Sequence, residues 1–237
     1  MEADELLTRI EATIAQQAEV DATQKRFEEF RSLADETRAR GSMPGRLNQR
    51  EDATLALKTG QKALALFGLI EDARLAEKPK WFGQDLPWAV DFEREFGKWP
   101  LDVLRTEAFE LMILLAGLER ELSAGSSPEE TTAATTRALA WVKRAQATGI
   151  QSQIALVLEA DALRNLGRDE EADKVTEAAK GTEPTAAFDF FLLGEDARKA
   201  RQYEQALNRY MKVVRLEPGH FWTRYYMGLC YFQLGHP

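Results

Sequence analysis

Cysteine and histidine are nearly missing from this sequence: Cys230 stands alone, and the histidines are His220 and His236. One thiol excludes an internal disulfide and any Cys-rich zinc site. The two imidazoles fall at opposite ends of one expected helix, too far apart to chelate one metal, and neither has a cysteine or carboxylate cluster at ligand spacing. Cys230 reads as a small apolar filler within that helix, and His220, just after Pro218, as part of the turn that starts it.

Long apolar runs are missing too. The longest near the middle, LMILLAGL at Leu111 to Leu118, is far shorter than the ~20 residues a bilayer requires. MEADELLTRIEA at the N-terminus has acids where a secretory signal has its positive region. These features predict no membrane span and a cytoplasmic location for the chain as written. Positive charge is also short: 31 basic against 39 acidic side chains give a formal charge of -8, which repels phosphate backbones and anionic head groups, so no nucleic acid partner is expected. No stretch alternates apolar and polar residues long enough for a strand, which predicts an all-α chain.

Catalytic signatures are absent as well. There is no glycine-rich phosphate loop, P-loop or dinucleotide fingerprint, and no His-Arg-Asp or Asp-Phe-Gly element; Asp189-Phe190-Phe191 only echoes the last, inside an expected repeat helix. The acidic pairs Glu28-Glu29, Glu129-Glu130 and Glu170-Glu171 fall on solvated faces or in first turns, where they complement helix dipoles. The chain is read as not an enzyme, with no cofactor and no metal.

What is present is enough apolar material for a core, 44% of 237 residues, and a period. Pro184 and Pro218, Gly194 and Gly228, and Ala172 and Ala206 are each separated by the same interval of about 34 residues. One unit runs from Gln153 to Pro184, a second from Ala187 to Pro218, and a third starts at Phe221. Small residues at the eighth place (Ala160, Gly194, Gly228) and twentieth place (Ala172, Ala206) let two helices of a hairpin approach closely. Gly167 and Gly235 follow a leucine where the first helix ends, tolerating the left-handed conformation of that turn, and the prolines close the second helix. Tyr203, Ala206, Leu207, Tyr210, Val213 and Val214 hold the spacing of one buried helix face.

This pattern resembles the tetratricopeptide repeat (TPR), a helix-turn-helix unit with small residues in the same columns and a terminal proline. The resemblance spans Gln153 to Pro237. It departs at the eleventh place, where the usual aromatic is Leu163 and Ala197 before returning as Tyr231, and at Arg201, which stands for the turn glycine. It implies a right-handed superhelical stack of helical hairpins, a TPR-like α-solenoid.

Upstream, Ser127-Pro128-Glu129-Glu130 joins an N-cap hydroxyl, a proline at the first helical position and acids in the first turn, a strong helix start. That helix should run to about Ala147 and bury Ala138, Leu139, Trp141 and Val142. Its expected partner, from about Leu101 to Leu122, has a wide stripe of Val103, Leu104, Ala108, Leu111, Leu115 and Leu118. An earlier helix should turn Leu55, Ala63, Leu66 and Phe67 inward. Residues 78–100 gather three of the five tryptophans, Trp81, Trp88 and Trp99, with three prolines; they plug an irregular connection or form a binding patch. Residues 1–40 read as a long charged helix in which Leu6, Leu7, Ile10 and Ile14 give way to Gln16, Gln17, Asp21 and Gln24, a lever or stalk packing at its second end. The expected organisation is therefore 1–40, a degenerate hairpin region over 46–150, and repeats over 151–237.

The order of these pieces, from RFEEFRSLADETRARG through ALALFGLIED, ELMILLAGLER and ALAWVKRAQATG to EPGHFWTRYYMGLCYFQLG, is similar to the C-terminal TPR region of serine/threonine protein kinases of planctomycete-type bacteria. That resemblance implies a non-catalytic scaffold or sensor module binding a peptide or protein segment; the alternative is the regulatory C-terminal part of such a kinase, whose catalytic domain is not in this chain. In the repeat register the concave groove is lined by Val157, Asp161 and Arg164, by Phe188, Phe191, Glu195, Arg198 and Lys199, and by Trp222 and Tyr225. The TPR subtype that clamps a peptide carboxylate has Lys and Asn where this chain has Val157 and Asp161, so that ligand is not expected. The third unit holds only its first helix, rich in aromatics, which points to a truncated chain or a docking edge open to self-association.

Overall fold

A computed structural model describes residues 2–41, 49–70, 93, 94, 96 and 98–235 of the chain. The described residues are helical, with no strand among them, and neighbouring helices pack in pairs. Contacts divide the chain into one unit over Met1–Ile150 and another over Gln151–Pro237. None of the described helices is long and apolar enough to cross a membrane. Trp81 and Trp88 lie outside the described residues, as does His236.

In the first unit, α1 spans Glu2–Gly41 and α2 spans Gln49–Ala65. The two run antiparallel, as their ion pairs require: Glu29 meets Lys62 at 3.2 Å and Arg40 meets Asp52 at 3.5 Å. The first fully buried side chain described on α1 is Phe30, whose ring meets that of Phe67 edge-on at 5.8 Å. Residues 6–19 of the helix, Leu6 to Ile14 included, are exposed. The sequence expectation for α2 needs correcting. Leu55 faces solvent, and the buried stripe is Ala53, Ala56, Gly60, Ala63, Leu64 and Phe67. Small residues choose this face because it must come close to its neighbours: a Cβ on Gly60 would sit 2.7 Å from Leu115 Cδ2 and 3.1 Å from Thr37 Cγ2.

The next helix, α3, spans Lys98–Leu122, starting three residues before its expected first residue, and α4 spans Pro128–Ala147. α3 is buried on almost every side, with Met112, Ile113 and Ala116 joining the expected stripe. It reaches α1 through Arg31–Glu107 (3.1 Å) and Arg38–Glu110 (3.3 Å). It pairs with α4 by an antiparallel packing that Glu119, almost wholly buried, fastens to Arg137 at 2.8 Å. The start of α4 follows its sequence signature: Ser127 Oγ accepts from Glu130 N at 3.2 Å, Pro128 takes the first helical place, and Ala138, Leu139, Trp141 and Val142 are buried.

In the second unit, α5 (Gln153–Asn165) pairs with α6 (Asp169–Lys180), and α7 (Ala187–Lys199) pairs with α8 (Tyr203–Leu216). The last helix, α9 (Phe221–Gln233), lies on α8. The turn after the first helix of each pair takes a left-handed residue at the same repeat position: Gly167 (φ 73°), Arg201 (φ 61°) and Gly235 (φ 76°). Arg201 therefore adopts the conformation that the glycines at its equivalents adopt without a Cβ clash. Of the small-residue columns, Ala160, Ala172 and Ala206 are buried. Gly194 lies so close to Tyr210 that a Cβ there would stand 2.6 Å from the ring, whereas a Cβ on Gly228 would meet nothing within 4 Å.

Candidate functional site

The polar chemistry of the second unit gathers in two places, both built by α7. The first is at its N-terminal end. Asp189 is buried and accepts from Ser152 Oγ at 2.7 Å and from Gln153 N at 3.0 Å. Ser152 is itself the N-cap of α5, accepting from Ala155 N at 3.2 Å, and Gln153 Nε2 donates to Ala179 O at 2.9 Å. A carboxylate from the second hairpin thus sits on the N-terminus of the first helix of the first hairpin, where the helix dipole favours negative charge. Burial pushes its pKa above the ordinary carboxylate value, and the bonds from Ser152 and Gln153 pull the other way.

The second place is the C-terminal part of α7. Arg198 grips Glu195 by two bonds, Nε to Oε1 at 2.9 Å and NH2 to Oε2 at 2.8 Å, one turn back on the same helix. Tyr210, wholly buried on α8, donates its hydroxyl to Glu195 Oε1. The Arg198 guanidinium lies 4.6 Å above the ring of Tyr226 on α9. Three helices therefore meet on one ion pair. Gly194 makes the arrangement possible, because only a residue without Cβ lets the Tyr210 ring lie against α7. Burial first, then the neighbouring Glu195 charge, drives the Tyr210 phenol far above its usual pKa, and burial pushes Tyr226 up to about 12. The Glu195 bond raises that of Arg198. Both phenols stay protonated near neutrality, and Tyr210 thereby serves as a hydrogen-bond donor to Glu195.

Aromatic rings extend the cluster. Phe191 lies 4.8 Å from the His220 ring, 6.1 Å from Tyr226 and 6.3 Å from Tyr210. His220 caps α9, its Nδ1 accepting from Thr223 N at 3.2 Å, as its place after Pro218 suggested. Burial lowers the His220 pKa. Cys230 is fully buried in this cluster, and burial raises its thiol pKa. Among the described residues no three His, Cys, Asp or Glu side chains gather as a metal site.

The ten residues assigned to a groove divide into three sets. Phe191, Glu195, Arg198, Trp222 and Tyr225 are brought together around Tyr226, whose ring also lies 6.2 Å from Trp222 and 5.4 Å from Tyr225. Val157 and Asp161 are half-buried on α5, where exposed Arg164 pairs with Asp161 at 3.9 Å and Asp173 at 3.5 Å. Phe188 is half-buried at the start of α7, and Lys199 is exposed at its end. Sequence reasoning placed Tyr210 on a buried helix face but not against Glu195, and it missed the role of Tyr226 and the Asp189–Ser152 link. The signal for Tyr210 was there, since it stands on the second helix of its repeat opposite the glycine of the first; the signal for Asp189 was hidden in a motif-like triplet.

The charged middle of the expected groove is thus engaged within the fold, and its aromatic side is only partly covered. Compared with known proteins, the chain matches no family model, and no curated protein shows significant similarity to it.

Proposed function

We infer that this chain is a non-catalytic protein-interaction module whose second unit is a TPR-like, right-handed stack of helical hairpins that holds a peptide or protein segment against its first helices, α5, α7 and α9. The observation that carries the reading is the recurrence of one hairpin joint: left-handed turns at Gly167, Arg201 and Gly235, with buried small residues at Ala160, Gly194, Ala172 and Ala206 in matching columns. Stacked hairpins of this kind leave a shared surface of first helices, a surface suited to an extended or helical segment.

The side chains free to read a ligand are fewer than those first assigned. Glu195 and Arg198 are committed to each other, to Tyr210 and to Tyr226, so a ligand charge competing for either must break a half-buried pair. Exposed Lys199 and Tyr225 remain as contact points, whereas Arg164 is paired with Asp161 and Asp173. The test is binding of fluorescent peptides from an array to the purified chain, followed by Tyr225→Ala and Lys199→Glu. The reading expects saturable binding that both variants weaken, and it fails if no peptide binds or if neither variant changes binding. Phe191→Glu is a poor control, because Phe191 packs among Tyr210, His220 and Tyr226 and its loss would disturb the fold.

A further inference from the structure

We draw no further inference here: the strongest candidate, the cluster of Asp189, Ser152 and Gln153 where the start of α7 meets the N-terminus of α5, belongs to the site already described, and beyond that geometry only the raised pKa of Asp189 would make it a switch.

Discussion

Replacing Gly194 by alanine should destabilise the second unit, although alanine is the better helix former. A Cβ at this position would lie 2.6 Å from Cε1, 2.8 Å from Cδ1 and 3.2 Å from Cζ of Tyr210. The ring must retreat by roughly 1 Å to regain ordinary contact. It has nowhere free to go: Tyr210 is fully buried, with Tyr226 stacked at 6.3 Å and Phe191 at 6.3 Å on a tilt. Its hydroxyl is also tied to Glu195. Overpacking costs about 1–3 kcal/mol, and weakening a hydrogen bond to a charged group adds about 1.5 kcal/mol. Against these stands a helix-propensity gain of about 1 kcal/mol for glycine to alanine. The net expectation is a loss of about 1.5–3.5 kcal/mol. Gly228 is the internal control, since it occupies the same repeat column with nothing within 4 Å. Gly228→Ala should therefore stabilise by about 0.5–1 kcal/mol. Native-state hydrogen exchange of α7, α8 and α9 amides reads both changes within the same unit. Stabilisation by Gly194→Ala, or equal effects at the two glycines, would refute the claim that the Tyr210 ring fixes this joint.

Three further outcomes follow from single contacts. Arg201→Gly should stabilise by roughly 0.5–1 kcal/mol, the left-handed penalty less the entropy glycine adds to the unfolded chain, with a higher urea midpoint as the readout; φ at this residue is 61°. Asp189 has a raised pKa in the fold, so the folded state holds its proton to higher pH than the unfolded chain does, and its contribution to stability declines as pH rises through the folded value. Relative to Asp189→Asn, wild type should accordingly gain stability as pH is lowered from neutrality into the carboxylate range, and a growing advantage for the Asn variant in acid would contradict this. Ser127→Ala should cost the first unit about 1 kcal/mol by removing the acceptor for Glu130 N, measurable as faster exchange in the first turn of α4.

Local rules made much of the fold legible before any coordinates. The start of α4 is set by three adjacent residues, Ser127, Pro128 and Glu129, and chemistry that local leaves little room for another outcome. The all-helical character followed from a periodicity that no strand pattern contested. Legibility failed where size and not hydrophobicity selects a face. Leu55 looks like a core residue beside Ala56, yet α2 buries the alanine, because α1 and α3 crowd it from the Gly60 side and the leucine cannot fit there. That choice depends on which helices are near, which is tertiary information.

The candidate site was less legible for a related reason. A repeat register assigns Glu195 and Arg198 to a groove from their places in α7, but register says nothing about what the next helices bring to them. Tyr210 arrives from α8 and Tyr226 from α9, and between them they turn two apparent ligand contacts into part of the unit's interior. The energetic consequence is that the pair cannot be spent twice. A ligand carboxylate drawn to Arg198 would have to displace Glu195 from a two-bond grip and leave the Tyr210 hydroxyl facing an acid that has lost its cation; stranding buried charge of that kind costs several kcal/mol. On the proposed reading as an interaction module, a ligand would therefore have to leave this ion pair intact and meet the unit through exposed side chains such as Tyr225 and Lys199.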